Sequence, residues 1–401
     1  GLDLPDTQGA TIDGLLSSGR PLSEPVRAGL SLMRELGRSS TAKYTTMQRW
    51  VCPDGRVHGG LLYHGAGTGR WSGVGVQPQN FVRGGSLKLS QQEIWEDLQA
   101  GDRDLLRDVY GSVMLLLSEG LRGAICAGPG QQLYVADYAS IEARVLFWLV
   151  GQEDGLDIFR RGGDIYCEMA STIYNRSVTK ADKQERQLGK AAVLGCGYQM
   201  GAGKFVATAA TYGVTTDDEF SVQVVQTYRT KFAKVKKGWY DQEAAAIRAL
   251  TSKRRVVCGR TSWILDGRFL YCYLPSGRRL AYPDAEMQER EMSWGEVKQG
   301  LTYMGVNSYT RQWQRQHAYG GMLVENIVQA IARDLMADAM LRMEASEVYR
   351  PVLSVHDEAI AEAPIGQGSV HEFEQMMCEG SAWAAGCPIV AEGWTGTRYH
   401  K

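Results

Sequence analysis

QLYVADYASIEARVLFWLV, residues 132–150, begins as one kind of structure and ends as another. Leu133 to Ala136 read as a buried β-strand, Asp137 follows them directly, and after Ser140 the apolar residues take helical spacing. PVLSVHDEAIAEAP, residues 351–364, reads as strand, turn, strand, with Asp357 just beyond the first strand after His356. A carboxylate in such a place is costly to leave unpartnered. Taken singly, either acid is explained as well by a helix cap or a surface turn. Taken together, they suggest two strands presenting aspartates to divalent metal. Two-metal phosphoryl transfer needs such a pair: one ion activates the attacking oxygen and the other steadies the leaving group, about 4 Å apart. Magnesium takes oxygen ligands, typically one or two carboxylates with substrate phosphates, which suits Asp rather than His or Cys.

RQLGKAAVLGCGYQMGAGKF, residues 186–205, carries phosphate chemistry in one of two ways. Its glycines, closed by Lys204, resemble a phosphate loop, whereas Arg186, Lys190, Leu194 and Tyr198 stand four apart, as on one helix face. A Walker A loop needs Gly, four residues, then Gly-Lys-Ser/Thr. Counting back from Gly203-Lys204 puts Tyr198 at the first glycine's place, and Phe205 stands where Ser or Thr is required. The loop reading fails, and the helical stripe remains.

Composition leaves the partner open. The chain has 401 residues, 44% hydrophobic and 22% charged, enough for several sub-domains around a substantial core. Lysine plus arginine (44) nearly balances aspartate plus glutamate (45), so only local clustering is informative. KFAKVKKGW (231–239), SKRRVVCGR (252–260) and SGRR (276–279) are three basic clusters, each either a solvated face or a nucleic-acid contact. The eight cysteines form no CxxC pair, and no histidine stands at zinc-ligand spacing from one, so they read as reduced thiols. No apolar run is long enough to span a membrane, and GLDLPDTQG is no signal peptide. Opening on Gly rather than Met fits a trimmed chain or a fragment.

Along the chain, residues 1–20 read as loop, 22–49 as a helix followed by a Ser/Thr tract, and 57–65 as a short strand. Residues 91–121 alternate helix and turn, 152–250 are predominantly helical, and 254–285 suggest hairpins broken by Asp-Gly and Ser-Gly. Residues 319–344 form a long amphipathic helix.

Six ordered blocks resemble the family A DNA polymerases, the bacterial DNA polymerase I type. DYASIEARV (137–145), Arg186-x3-Lys190-x7-Tyr198 and VHDE (355–358) are similar to its motifs A, B and C. TGRWSGVGVQPQNF (68–81) resembles its TGR block, LRGAICAGPGQQLYVADY its lead-in to motif A, and DIFRRGGDIYCEMAS (157–171) its segment ending in Asp-Ile-His. YGGMLVENIVQAIARDL has a bacteriophage flavour. The resemblance runs from about residue 20 to residue 401.

It implies an α+β right-hand polymerase fold, with an antiparallel palm sheet, helical fingers and a short or truncated thumb. The expected division is a thumb remnant or stem over 1–51, palm over 52–150, fingers over 151–318 and palm again over 319–401. The implied activity is template-directed addition of deoxynucleotides to a primer 3′-end with release of pyrophosphate. The implied cofactor is Mg2+, two ions with Mn2+ as a substitute, bound by Asp137, Asp357 and the Tyr138 carbonyl, with Glu358 in electrostatic support. Arg186 would contact the γ-phosphate, and Lys190 would sit by the α- and β-phosphates and protonate the leaving pyrophosphate. An Arg/Lys pair four apart is solvated on most helices; the motif order reverses that expectation here. Glu142 would fill the space of a ribose 2′-hydroxyl, and Tyr198 would stack at the insertion site or template position. Primer–template contacts would come from Arg70, Gln79, Asn80, Arg122, Gln329 and His356. The Ser39–Lys43 tract would track duplex phosphates.

The departures are specific. Leu194 replaces the usual Phe or Tyr, Tyr166 the usual His, Ser140 a common Gln and Glu325 a common Asn. By resemblance Tyr166 belongs with the nucleotide-binding residues, without the phosphate contact of the usual His carried over to it, and Leu194 predicts discrimination against dideoxynucleotides. A single-subunit RNA polymerase and an inactive DNA-holding subunit are the competing readings. Glu142 and the His-Asp-Glu form of motif C favour DNA, and the full set of acids with the Arg/Lys pair favours activity. No 3′–5′ exonuclease motif is found in this chain, which is expected to act as a monomer, in the host cytoplasm if phage-encoded.

Overall fold

The computed structural model describes residues 9–18, 21–36, 41–82, 85, 87–291, 297–307 and 310–401. Helices α1 (Gly9–Ser17), α2 (Glu24–Leu36) and α3 (Ala42–Trp50) come first. A two-stranded ladder of β1 (Leu61–Leu62) and β2 (Ser72–Gly73) precedes α4 (Gln91–Ala100), α5 (Arg103–Tyr110) and α6 (Val113–Glu119). Residues 9–17 correct the expected loop: Ile12 is 2% exposed, and Asp13 pairs with Arg34 of α2 at 2.7 Å. The strand expected over 57–65 shrinks to two residues, because Gly59 and His64 take left-handed φ angles of 67° and 54°. Of the Ser39–Lys43 tract, Ser39 and Ser40 lie outside the described residues, and Lys43 Nζ donates to Gln77.

Strand β3 (Gln131–Tyr138) runs into α7 (Ile141–Val150) through Ser140, which takes a left-handed φ of 55°. There follow α8 (Glu153–Arg160), α9 (Ile165–Tyr174), α10 (Lys183–Cys196), α11 (Ala202–Thr211), α12 (Asp218–Lys231) and α13 (Ala233–Ser252), the helical region the sequence predicts. The expected hairpins are a meander of β4 (Val256–Cys258), β5 (Thr261–Asp266), β6 (Phe269–Tyr273) and β7 (Arg279–Pro283). A further sheet of β8 (Glu286–Glu291), β9 (Val297–Val306) and β10 (Trp313–Ala318) was not anticipated. Helix α14 (Gly320–Ala345), strands β11 (Arg350–Val355) and β12 (Glu358–Pro364), α15 (Val370–Cys378) and β13 (Ala391–Gly396) complete the chain.

The central sheet has the order β11-β12-β3-β13 and is antiparallel throughout. β3 is buried on both faces: Tyr134, Ala136 and Tyr138 enter the main core, and Leu133 and Val135 a smaller one behind it. That is why LYVA reads as a continuous apolar run rather than an alternation. Register sets Glu358 opposite Asp137, and the β11–β12 turn is so tight that only His356 and Asp357 lie between the strands. His356 takes φ 56° there, which a two-residue hairpin turn requires of a residue.

Two glycines let helices close on this sheet. A Cβ on Gly189 would lie 2.1 Å from the Tyr166 carbonyl oxygen, so α10 rests directly on α9. A Cβ on Gly321 would lie 2.4 Å from the Tyr198 carbonyl oxygen, so α14 begins against the end of the 186–205 segment. That segment is a helix that stops at Cys196, followed by a turn and a new helix from Ala202.

The basic clusters divide. Trp239 is 1% exposed and donates to the Gly197 carbonyl at 2.7 Å, so it is a core residue. Arg278 is drawn inward to Asp334 at 2.7 Å and the Thr68 carbonyl at 2.9 Å. Arg279, Lys253, Arg254 and Arg255 remain exposed. All eight cysteines are free thiols.

Candidate active site

Asp137, Asp357 and Glu358 meet at the end of β3. The Tyr138 backbone N–H donates to the Asp357 carbonyl at 3.0 Å, fixing the turn against the strand. Glu358 is 2% exposed and accepts from the Tyr399 hydroxyl. Lys401 Nζ lies 3.1 Å from Asp137 and 3.8 Å from Glu358. Burial pushes the Glu358 carboxyl above its ordinary value, against the Tyr399 hydrogen bond and the Lys401 charge. Burial raises Asp357 likewise; Arg70 opposes it, and the Glu142 and Asp137 charges add to it.

Arg70 joins these acids to α7. Its Nη2 donates to Glu142 Oε1 at 2.9 Å and to Asp357 Oδ1 at 3.0 Å. The other Glu142 oxygen accepts from the Tyr198 hydroxyl at 2.9 Å. Burial, with the Glu142 charge, pushes the Tyr198 phenol well above its ordinary value, so it stays a neutral donor. Glu325 of α14 faces the same pocket. Burial raises its carboxyl, and the Glu142 charge adds to that.

The predicted stripe of α10 exists. Arg186 Nε pairs with Asp164 at 2.8 Å, and its guanidinium carbon lies 5.3 Å from the centre of the Tyr166 ring. Lys190 Nζ lies 5.9 Å from the ring centres of both Tyr166 and Tyr212. Tyr166 is 9% exposed, and its hydroxyl accepts from Ser140 at 3.0 Å, so its ring underlies the two cations. Leu194 is half-buried between Lys190 and Tyr198 on that face.

Among the residues expected on DNA, Gln79 donates to the Ser354 carbonyl at 3.2 Å while its side-chain oxygen is buried without a partner. Arg70 Nε is likewise buried without a partner. Asn80 is exposed, His356 contacts the Gln79 carbonyl at 3.2 Å, and Gln329 donates to Glu325 at 3.3 Å. Gln329 also lines a cavity of about 280 Å³ with Thr68, Tyr282 and Asn326. Arg122 lies inside the protein instead of on an open face. It is 4% exposed and donates to the Phe81 and Val82 carbonyls and to the Tyr399 hydroxyl, the last at 2.7 Å. Three of its N–H groups are thus held inside the protein, one of them on the hydroxyl that Glu358 accepts from.

The DNA polymerase family A model matches residues 10–401. The chain belongs to DNA polymerase family A. A Bacillus phage SP02 DNA polymerase is 38% identical over 386 residues, covering 94% of this chain and 58% of that protein. DNA polymerase I of Chloroflexus aurantiacus is 24% identical over 346 residues, 85% of this chain and 28% of that one. The chain therefore spans little more than half the phage relative and under a third of the bacterial one. The POL domain of Pol1 from M. smegmatis, in complex with DNA primer-template and dNTP, shares the fold at TM-score 0.60 and 17% identity, covering 98% of this chain and 57% of that one.

Family A enzymes are divalent-metal dependent, and the residues present fit such a group. The donors at the end of β3 are carboxylates with no sulfur or imidazole among them, and two protein cations, Arg70 and Lys401, offset only part of their charge. Sequence reasoning missed Lys401, Tyr399 and Asp164. Asp164 carried a signal, since an Asp four residues after Arg160 and before Ile165 caps α9. It also missed a Cys–Asp–His grouping in the turn after α3. Cys52, Asp54 and His58 bring one ligand atom each within 4.8 Å of one another, on an exposed loop. No helix among the described residues is long and apolar enough to cross a membrane.

Proposed function

We propose that this chain is the catalytic part of a template-directed DNA polymerase, adding deoxynucleotides to a primer 3′-end and releasing pyrophosphate by two-metal-ion transfer. The observation that carries the reading is the pairing of Asp137 and Asp357, on adjoining segments of one sheet and stitched by the Tyr138–Asp357 backbone bond at 3.0 Å. The phage relative's name and the primer-template and dNTP in the Pol1 structure support it.

Asp137, Asp357 and the Tyr138 carbonyl would hold the two Mg2+ ions, with Glu358 behind them. When bound, such ions stabilise charge on both the attacking and the leaving oxygen. The chain's own residues do the rest. Arg186 binds the γ-phosphate, and Lys190 lies by the α- and β-phosphates and protonates the leaving pyrophosphate. Tyr166 holds both cations in place. Glu142, braced by Arg70 and Tyr198, excludes a 2′-hydroxyl, while Tyr198 and Leu194 shape the floor under the incoming base and sugar. Arg70, with its unpartnered Nε–H donor, joins Gln79, Asn80, Gln329 and His356 against the minor groove. Its acceptors vary little with sequence, so such contacts check base-pair shape without reading sequence.

In this reading β3, β11, β12 and β13 are the palm, residues 151–318 the fingers, and the helices before residue 52 a thumb remnant. The protein works as a monomer in the cytoplasm of the cell that hosts it, without 3′–5′ exonuclease activity of its own in this chain. Gel-resolved primer extension with Mg2+ tests the proposal. Ladders with dNTPs and none with rNTPs support it; rNTP ladders would move it to RNA synthesis, and no ladder with either would refute it.

A further inference from the structure

The β4–β7 sheet has one covered face. Trp263, Cys272 and Leu280 enter the main core and are 0%, 0% and 4% exposed, and Trp263 Nε1 donates to Gln242 of α13 at 2.8 Å. The register fixes what stands on the opposite face. One row across the sheet is Val257, Ser262, Tyr273 and Arg279; the next is Ile264, Tyr271 and Ala281; the last is Asp266, Phe269 and Pro283. The inner strand β6 thus carries three aromatic residues in a line, about 7 Å apart along the strand.

The line is ordered and cationic at one end. Phe269 and Tyr271 stack with ring centres 5.6 Å apart and planes 20° from parallel. The Arg279 guanidinium sits 4.1 Å above the Tyr271 ring, and that of Arg255 sits 4.6 Å above the Tyr273 ring. Neither arginine forms a salt bridge among the described residues: Arg279 donates to the Tyr273 hydroxyl at 3.5 Å and feels Asp266 only as a weak charge, whereas Arg268 nearby is paired with Asp284 at 2.7 Å. Lys253 and Arg254 lie exposed beside Arg255. Asp266, at the Phe269 end, is the only acid in the three rows.

We infer that this face is a second nucleic-acid contact, a stacking platform for single-stranded DNA outside the active site. Single strands are held without sequence preference by aromatic rings that stack on successive bases and by cations along the backbone. Guanidinium planes laid on tyrosine rings extend such a platform, because a base stacks on either. An open β-sheet with its aromatics in one column presents them in the right order. The three aromatics are held by β-register rather than by loops, so the platform is rigid before DNA arrives. Phosphates would run at the Arg255 and Arg279 end, away from Asp266.

The test uses the full chain and fluorescence anisotropy with labelled oligo(dT). Tyr271→Ser with Tyr273→Ser is expected to weaken oligo(dT) binding at least tenfold, roughly the loss of one to two stacked bases. Arg255→Ser with Arg279→Ser, whose exposed side chains can be removed without disturbing the core, is expected to lower the slope of log affinity against log salt by about 1.4. Photocrosslinks from 5-iodouracil in the oligonucleotide should map to β6. Extension of a primer–template with a very short template overhang should stay within about twofold in both variants, since the cleft is untouched. Oligo(dT) affinity and salt slope equal to wild type in the arginine variant, or crosslinks mapping away from β6, overturn the inference. Failure of the polymerase reading shows separately, as absence of extension by the wild-type chain.

Discussion

One guanidinium nitrogen of Arg70 lies 2.9 Å from Glu142 and 3.0 Å from Asp357, so a single cation is shared between the start of α7 and the β11–β12 turn. The acid proposed to exclude ribose and an acid proposed to hold metal are therefore mechanically linked. Tyr198 completes the link from the far side of Glu142.

Arg70→Ala removes both bonds at once. Two hydrogen bonds to charged groups, at ~1.5 kcal/mol each, correspond to roughly a 100-fold loss in kcat/KM for primer extension. Arg70→Lys, which keeps a cation able to bridge two acids but loses the other guanidinium N–H donors, should recover only part of it. Steady-state kinetics on a fixed primer–template measures both, and wild-type kinetics in Arg70→Ala would contradict the shared-cation account.

Glu142→Ala should open the space beside the sugar while freeing the Tyr198 hydroxyl. The ratio of dNTP to rNTP incorporation is expected to fall at least tenfold, with dNTP efficiency falling less. Single-nucleotide insertion assays with matched dNTP and rNTP give the ratio. An unchanged ratio would leave Glu142 a structural acid only.

Leu194 lacks the hydroxyl with which a tyrosine can replace a missing 3′-hydroxyl. The wild type should discriminate against dideoxynucleotides, and Leu194→Tyr should narrow the ddNTP:dNTP gap by about tenfold or more. Competition between ddNTP and dNTP at one template position reads it out. Equal selectivity in the two proteins sinks the assignment.

Asp164 caps α9 through the Tyr166 and Cys167 N–H groups and holds Arg186. Burial alone would raise its carboxyl, but the Arg186 hydrogen bond and charge and the capping N–H groups bring it below its ordinary value. A carboxyl depressed in the folded state stabilises it fully above the unfolded value of about 3.9 and loses that contribution as pH falls through the folded value. Asp164→Asn should therefore lower stability by about 1 kcal/mol at neutral pH, with the difference closing below about pH 4. It should also raise the KM for dNTP, because Arg186 loses its anchor. Thermal melts from pH 7 downward and insertion kinetics check the two parts, and a difference that does not begin to narrow as the pH falls below about 4 rules out the ion-pair origin.

Lys401 stands 3.1 Å from Asp137, where a divalent ion would compete with it. Its side chain is 26% exposed, so solvent screening keeps the effect small. Lys401→Met should tighten Mn2+ binding to the DNA-free protein by roughly two- to fivefold. Electron paramagnetic resonance of free Mn2+ during titration measures this directly, and unchanged or weaker binding contradicts it.

What could be read before folding was whatever repeats along the chain. An apolar strand ending in Asp137, a two-residue turn holding Asp357, and an Arg186–Lys190–Leu194–Tyr198 stripe all declare themselves by spacing. The β8–β10 sheet was not legible, because EMQERE and WQRQHA are polar on both faces and show no alternation. The burial of Arg122 was not legible because its partner Tyr399 lies 277 positions away, a tertiary contact that local pattern does not carry. Lys401 reaches Asp137 by the same kind of contact. The left-handed residues His64 and Gly59 explain the shortened first strand, and of these only the glycine is a cue in sequence.

The central claim is that Asp137 and Asp357 together make this chain a DNA polymerase. Primer extension with Mg2+ and dNTPs, run side by side for the wild type and for Asp357→Ala at matched thermal stability, tests it most directly. The account predicts a full ladder for the wild type and a loss of at least about 1,000-fold in rate for the variant. Extension by Asp357→Ala at the wild-type rate would contradict it.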